Sequence, residues 1–469
     1  MSISAAFNNA LTGLGAASRS AQVISSNISN ALTPGYAARE AQFVSGPTGG
    51  VRLTGVSRAV DPALLAENRL VGAEAGMAGT RRQAVERMSE LLGEPGTGNS
   101  LSGRLSQLDA QLIEAASDPA SINRLTAVAN TAGDISDFLN RASDGVQQVI
   151  FDADRDIGLQ VKALNEGLQR VERLNRDITT AAIRGEDINS LKDMRQREID
   201  TISQIVPVRE LTRPNQGVSL ITTNGQILFD DRPAKIEFAA GGVAGAGLVI
   251  NDRPVAVTGP QSRMGGGTLS GTFSVRDELA PSMGQQIDGF ARDLIARMDN
   301  VPGLRPAGAP GLFTDEGGLF SGADEAGIAG RITLNAAVDP RKGGEVWRLR
   351  DGLGAAGPGA QGDGSLLKAT RAALDASRTS PSSALGSSAL TLGGQADSVM
   401  SFAGGQLFRA EAEETFATTR STELTGRMLE KGVDTDAELQ NMLLVEQMYG
   451  ANTRVLQAAD TMLQRLLEI

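Results

Sequence analysis

The chain of 469 residues contains neither cysteine nor histidine and carries a formal net charge of −11. The missing residue types exclude disulfide bonds, thiolate or imidazole metal sites and histidine-based catalytic triads. The acidic charge gives no electrostatic reason to bind nucleic acid or an anionic membrane, and we expect neither as a partner and no cofactor.

The length indicates two to four domains, and aromatic residues make up only 3% of the chain, so that small aliphatic side chains must fill the cores. No apolar run is long enough to span a bilayer. The N-terminus lacks the basic segment and apolar block of a secretory signal, so any export is expected to proceed without a cleaved signal peptide.

The N-terminal segment predicts a long helix with one narrow apolar stripe. Apolar residues recur there at alternating spacings of 4 and 3 and include Phe7, Leu14, Ile24 and Ile28. Such a heptad stripe is typical of a helix that packs along a partner helix. The helix is predicted to end at Thr33–Tyr36, where Pro34 cannot continue a helix and Gly35 tolerates a turn.

The next part of the chain predicts helices up to about Ile205. Apolar residues recur at spacings of 3 and 4 in three stripes, within residues 101–112, 125–149 and 157–171. Long helices with short breaks between them indicate an antiparallel bundle. The acidic run Asp152–Asp156 resembles the start of a calcium loop, but its sixth position is Ile157 instead of glycine, so a solvated helix segment is favoured.

Beyond Pro207 the period of the apolar residues changes to two. Asn224-Gly225 is a strong signal for a tight hairpin turn, which we expect to project outward as part of an outer domain, away from the terminal stripes that need burial. An amphipathic helix around residues 283–298, a serine-rich linker at 377–388 and a polar helix from about 395 to 430 follow. Further strands are predicted at 248–251, 254–257, 268–275 and 331–335.

The C-terminal segment predicts a second helix with an apolar stripe. Asn452 interrupts this stripe and either fixes the register of a helix pair or merely lies at the edge of the stripe. Thr435 and Glu438 have the spacing of a capping box, which predicts the start of the helix. The apolar residues of the predicted interface on this helix are Val445, Tyr449, Leu456, Leu463 and Leu466.

These elements predict a mainly α protein with a β-rich insert, folded back on itself in layers. The two terminal stripes would pair with each other or with other subunits, although periodicity alone also fits an ordinary bundle helix at each end. The predicted parts are a terminal helical assembly domain with coiled-coil-like helices (1–36 and 433–469), a helical bundle (37–205 and 395–432) and a projecting central β-rich domain (206–394).

The two ends also resemble a known family. Residues 10–18 and 26–36, together with residues 445–463, are similar to the terminal motifs of the bacterial flagellar axial proteins, which comprise rod, hook and hook-associated subunits. Residues 266–277, 336–340 and 347–353 resemble the hook-associated branch more weakly. The N-terminal motif consists of Asn27, Asn30, Thr33, Pro34, Gly35 and Tyr36.

This resemblance implies a non-enzymatic structural subunit that joins hook to filament in the extracellular flagellum. It implies export by the flagellar type III system, assembly through the terminal helices, and four partners: further copies of the chain in a ring, hook protein, a second hook-associated junction protein and a cytosolic export chaperone. The alternative within the family is a hook or distal-rod subunit. Alternatives from other classes are a peptidoglycan hydrolase carried on the rod and a cytosolic coiled-coil scaffold.

Overall fold

The computed structural model describes residues 3–33, 35–46, 49–239 and 247–467. Helices make up 63% of the chain, and small antiparallel sheets lie mostly in its central part. The predicted class, mainly α with a β-rich insert, is therefore confirmed. The coiled-coil character of the terminal helices stays a prediction.

Long helices form the frame of the molecule, and α4 has 63 residues. A π-helical turn at Val275–Leu279 joins α6 to α7. The helices are α1 (Ile3–Asn30), α2 (Pro62–Glu90), α3 (Leu101–Ser117), α4 (Ile122–Arg184), α5 (Asn189–Ile205), α6 (Gly267–Ser274), α7 (Ala280–Asp299), α8 (Ile328–Arg331), α9 (Arg348–Asp351), α10 (Ser365–Asp375), α11 (Leu392–Glu430) and α12 (Thr435–Leu467).

The strands form antiparallel sheets of two or three strands. Their order is β1-β2, β3-β4-β5, β6-β7-β8, β10-β9 and β11-β12. The strands are β1 (Arg39–Ser45), β2 (Val51–Arg58), β3 (Val208–Thr212), β4 (Val218–Thr222), β5 (Ile227–Phe229), β6 (Ile236–Phe238), β7 (Leu248–Ile250), β8 (Arg253–Val255), β9 (Phe313–Asp315), β10 (Ile332–Leu334), β11 (Arg378–Thr379) and β12 (Ala389–Leu390).

Side-chain caps and a left-handed glycine set the ends of α4. The Ser121 side chain accepts a hydrogen bond from the Arg124 amide at 3.5 Å, and Gly185 ends the helix with a φ of 70°. Buried residues recur every three or four positions along the whole helix. The stripes predicted at 125–149 and 157–171 therefore belong to one continuous helix.

Two hydrophobic cores share α4. The first core contains the end of α2, α3, the first half of α4, α7, α10 and the start of α11. The second contains the second half of α4, α5, α6 and the inner faces of the sheets β3-β4-β5 and β6-β7-β8. The residues of the predicted central domain, 206–394, are thus divided between the two cores.

The sheets of the second core lie against α4 and α5, and the predicted free projection of the β insert is wrong. Leu220, Leu228 and Ile236 are at most 3% exposed and pack in one cluster with Leu164 and Leu168 of α4. The hairpin strands are too short and too apolar on one face to be stable alone, so this face is buried on the helices.

Two further predictions for the central residues differ from the structure. The predicted strand at 268–275 is wrong, because these residues form α6 and the start of the π-helical turn. α6 is buried on nearly all sides, so the alternation of Leu269, Gly271, Phe273 and Val275 with serine and threonine imitates a strand without marking one exposed face. The serine-rich segment 377–388 contains β11 and a short 3-10 helix with buried Ser380 and Ser382, so it is an ordered part of the first core's edge.

A buried ion pair lies where the two cores meet on α4. Arg276, in the π-helical turn, is fully buried and contacts Asp154 at 3.0 Å and Asp277 at 2.7 Å. Its guanidinium group also lies 4.7 Å from the centre of the Phe273 ring. The acidic run Asp152–Asp156 is accordingly part of α4.

α2 and α11 form a long antiparallel pair that leads towards the terminal helices. Ion pairs on its surface bridge the two helices from residue 61, just before α2, as far as residue 82. These are Lys431–Asp61 at 2.7 Å, Arg420–Glu74 at 3.5 Å, Arg81–Glu413 at 2.9 Å and Arg82–Glu414 at 2.5 Å. Within the described residues, no helix has the length and apolarity required to cross a membrane.

Candidate assembly interface

α1 and α12 pack on each other in antiparallel orientation. Gly13 lies opposite Asn452, and Asn27 contacts Glu438, so residue numbers increase along α1 while they decrease along the facing part of α12. The contact surface of α1 is narrow and made of small residues, which lets α12 approach closely. The buried residues of α1 are Ala10, Gly13, Ala17, Ile24 and Asn27.

Asn452 lies inside the α1–α12 contact. A Cβ atom on Gly13 would lie 2.7 Å from Asn452 Nδ2, so the absence of a side chain at Gly13 makes the space that Asn452 occupies. Asn452 Nδ2 donates to Met448 O of its own helix at 3.0 Å. Asn452 therefore fits opposite Gly13 in particular. This supports the interpretation that Asn452 fixes the register of the helix pair over the interpretation that it merely lies at the edge of the stripe.

Asn27 connects three parts of the chain through a buried side chain that is 1% exposed. Its Nδ2 donates to Glu438 Oε1 at 2.5 Å and to Arg39 O at 2.9 Å. Its Oδ1 accepts from the Arg39 amide and from the Tyr36 hydroxyl, each at 2.9 Å. All four hydrogen-bonding positions of the amide are therefore used.

Glu438 is part of this network and not of a capping box. The first turn of α12 is capped by Asp434, whose Oδ1 accepts from the amides of Asp436 and Ala437, each at 3.0 Å. The predicted cap at Thr435 is therefore off by one residue. Because Asp434 already caps the helix, the Glu438 carboxylate is available to bind Asn27.

The other motif residues form the turn after α1. Asn30 Nδ2 donates to Ser26 O at 2.9 Å, and Thr33 Oγ1 donates to Asn30 Oδ1 at 3.3 Å. Gly35 has a φ of 75°, and a Cβ atom there would lie 2.5 Å from Arg197 Cγ, so both conformation and space require glycine. Pro34 lies outside the described residues.

The hairpin β1–β2, which sequence analysis did not predict, connects the terminal pair to α5. Arg39 donates to Ser190 at 3.0 Å and lies 5.0 Å from the centre of the Tyr36 ring. Arg58 contacts buried Asp193 at 2.7 Å, and Arg39 contacts the same carboxylate at 3.4 Å. No local spacing in the sequence indicates these partners, because they lie more than a hundred residues apart.

The predicted interface residues differ in burial. Ile24 is buried, whereas Leu14, Ile28, Val445 and Leu456 are half-buried between the helices and solvent. Phe7, Tyr449 and Leu463 are 39%, 51% and 40% exposed. The side chain of Leu466 lies outside what the structure describes.

The helix pair leaves a large apolar surface uncovered. Among the described side chains of α12, only Ala459, which is 5% exposed, is buried. An apolar surface of this extent marks an interaction site. Besides the predicted residues, it includes Leu11 on α1 and Leu439, Leu443, Leu444, Met448, Val455 and Met462 on α12.

The described residues contain no group of three or more histidine, cysteine, aspartate or glutamate side chains arranged to hold a metal ion. The carboxylates of the network, Glu438 and Asp193, are bound to Asn27 and to the two arginines. The exposed apolar side of the pair is a surface suited to contacts with other apolar side chains.

Two family models match the chain. Residues 85–310 match the helical domain of flagellar hook-associated protein FlgK, and residues 425–469 match the C-terminal domain of the flagellar basal body rod FlgEFG proteins. The first match covers the end of α2 through α7, and the second covers α12. The two models therefore describe the bundle and one member of the terminal pair.

Curated relatives carry the same name. The chain is 25% identical to flagellar hook-associated protein 1 of Salmonella typhimurium over 62% of its own length and 55% of that protein. It is 22% identical to flagellar hook-associated protein 1 of Bacillus subtilis over 94% of its own length and 93% of that protein. The chain thus spans about half the length of the Salmonella relative that it matches.

A solved structure is also similar. The flagellar hook junction protein FlgK from Burkholderia pseudomallei aligns with a TM-score of 0.45 and 18% identity, over 53% of this chain and 46% of that one.

Proposed function

Because the chain belongs to the family of flagellar hook-associated protein 1, we propose that it is a structural subunit of the junction between flagellar hook and filament. The observation that carries this proposal is the α1–α12 pair with its open apolar side. The Asn27 network holds the pair together on one side, and on the other side its leucines are exposed among the residues that the structure describes.

Neighbouring subunits supply that partner in the proposed assembly. Terminal helices of further copies of the chain would pack along α1 and α12 and bury Leu443, Met448 and Leu463, which are 40–59% exposed in the single chain. In this role the terminal pair joins a ring of subunits to hook protein on one side and to a second hook-associated protein on the other. Because each of these side chains is already about half-buried, covering its exposed part contributes about 1 kcal/mol, roughly half the value for full burial.

The same exposed side chains require protection before assembly. We propose that the chain is exported by the flagellar type III system without a cleaved signal peptide, and that a cytosolic chaperone covers α12 before export. This proposal rests on the apolar surface of α12, because a helix of this kind in free solution is an aggregation site. The protein then resides outside the cell in the flagellum and acts without catalysis.

A hook or distal-rod subunit is the alternative, since the C-terminal match at residues 425–469 is to rod proteins. The extensive helical part favours the junction protein, because the match at residues 85–310 is to the hook-associated helical domain. A deletion strain separates the two functions. Electron microscopy should show intact hooks without filaments for a junction protein, whereas missing hooks or rods would contradict the proposal.

Complementation of that strain tests the surface itself. Leu14→Asp or Leu463→Asp should leave the chain folded, because both positions are partly exposed, yet abolish filament attachment, because a charge in a buried helix contact costs several kcal/mol in every subunit. Asn8→Asp, which adds the same charge at an exposed position of α1, is the control. Normal swimming with both leucine variants would show that this surface is not the assembly contact.

A further inference from the structure

A second feature of the molecule is a cleft of about 840 Å³ between the start of α2, α5 and the strands β3 and β4. None of its lining residues belongs to α1 or α12. The acidic residues of the lining are Glu67 and Glu210, whereas the basic ones are Arg58, Arg69, Lys192, Arg195, Arg209 and Arg420. The cleft is therefore basic in a chain of net charge −11.

Three of these basic side chains are already neutralised. Arg58 contacts Asp193 at 2.7 Å, and Arg420 contacts Glu67 at 3.6 Å. Arg69 is shared between Asp200 and Glu210, at 2.6 Å and 2.7 Å. The acidic residues around the cleft are thus committed to these three arginines.

Lys192, Arg195 and Arg209 have no carboxylate within ion-pair distance in the described part of the chain. Arg195 is only 7% exposed, yet it donates to neutral oxygens alone, Asn175 Oδ1 at 2.7 Å and Gln216 O at 2.8 Å. Lys192 Nζ likewise donates to Gln216 Oε1 at 2.7 Å. Arg195 is thus a buried cation whose direct hydrogen-bond partners are all neutral, an unfavourable arrangement that a bound anion would relieve.

The electrostatics agree with this geometry. Burial lowers the pKa of Arg195, the charge of Glu210 offsets part of this effect, and the charge of Arg58 lowers the pKa further. Burial also lowers the pKa of Lys192, with smaller contributions in the same direction from Arg195 and Arg58. A bound anion would reverse these effects, because it would favour the charged form of both side chains.

We propose that this cleft binds an oxyanion, held by Lys192 and Arg195 with Arg209 at the rim. Guanidinium and ammonium groups together are the usual ligands of phosphate and carboxylate oxygens. The anion is either a small one such as phosphate or the carboxylate of an acidic protein segment. The site lies outside the terminal pair, and its existence does not depend on the proposed function.

Calorimetric titration of the full chain tests the site at constant ionic strength. The probes are sodium phosphate, hexaglutamate and, as a neutral control, hexaglutamine. Lys192→Gln combined with Arg209→Gln removes two cations of the cleft and leaves buried Arg195 in place. The matched control, Lys162→Gln with Arg173→Gln, removes two cations from exposed positions of α4.

The cleft variant should bind the anion about fivefold or more weakly than the wild type, and the control variant should bind as the wild type does. Phosphate binding alone would identify a small anion as the ligand, and hexaglutamate binding would identify an acidic segment. Arg195→Gln, checked for folding by circular dichroism, should abolish binding of the same probe. Absence of binding by both anions, or equal binding by the two double variants, would overturn the proposal.

Discussion

At the residue scale, Asn27 determines how α1, the following turn and α12 meet. Replacement of Asn27 by alanine would leave Glu438, Tyr36 and the Arg39 backbone without their buried partners. We expect the free energy of local opening of α1 and α12 to fall by about 2–4 kcal/mol, because each orphaned buried group costs about 1–3 kcal/mol. Amide hydrogen exchange of the two helices measures this change.

Asn8→Ala is the control, since Asn8 is exposed on the same helix. Its effect should remain below about 0.5 kcal/mol, as for most surface substitutions. Equal exchange rates for the Asn27 variant and the wild type would show that the network does not hold the helices together.

The sequence indicated Asn27 through a family motif but did not indicate its partners. Helical spacing places Asn27 near the end of α1, whereas the partner Glu438 is 411 positions away. Likewise, Asp193 binds two arginines from β1 and β2, and no local pattern predicts these pairs. The motif residues were therefore predictable, and the contacts that give them a role were not.

At the element scale, two glycines on α1 have opposite surroundings. A Cβ atom on Gly15 would meet nothing within 4 Å, while a Cβ atom on Gly13 would lie 2.7 Å from Asn452 Nδ2. Gly15→Ala should stabilise α1 by about 0.5–1 kcal/mol, the difference in helix propensity. Gly13→Ala should destabilise the α1–α12 pair by about 1–2 kcal/mol despite the same gain, because Asn452 must move and lose its bond to Met448.

The exchange measurement used for Asn27 also checks this prediction. The double variant Gly13→Ala with Asn452→Ala should recover most of the lost stability, because it removes the side chain that the new methyl group displaces. If Gly13→Ala stabilises the pair as much as Gly15→Ala does, Asn452 does not fill this space in solution.

Helical period predicted most of the long helices, because an amphipathic helix shows its buried face in its sequence. α3 agrees with its predicted stripe, α4 joins the other two stripes, and α11 corresponds to the predicted polar helix at 395–430. The prediction for α6 failed because all seven residues from Leu269 through Val275 are buried, so that no exposed polar face remains to distinguish a helix from a strand. Gly271 belongs to this packing, since a Cβ atom there would lie 2.9 Å from Met77 O of α2.

At the scale of the whole molecule, α4 connects the helical bundle and the β-rich part, because it packs in both. Its first half contributes to one core and its second half to the other, and the buried pair Arg276–Asp154 lies between them. The expected projection of the central sheets failed because alternation shows that one face of a strand is buried without showing what buries it. Here that partner is the same helix that the sequence assigned to the bundle.

Deletion of Arg209–Arg263 with a short Gly/Ser bridge tests this arrangement. The two ends can be joined, because Thr223 donates to Pro207 O at 3.3 Å and Thr222 donates to Arg263 O at 2.7 Å. Connectivity is therefore retained, but the deletion removes Val218, Leu220, Leu228, Phe229, Ala234, Ile236, Leu248, Ile250 and Val257 from the second core.

We expect the deleted chain to be insoluble or rapidly cleaved within the second half of α4. The lost side chains form the sheet side of the second core, and the remaining residues of α4 and α5 cannot fill the space that they leave. The same deletion exposes Leu164 and Leu168 on α4, which are fully buried in the intact chain. Limited proteolysis and circular dichroism of the soluble fraction check this outcome, and a soluble, fully helical variant that still forms junctions would show that α4 is stable without the sheets.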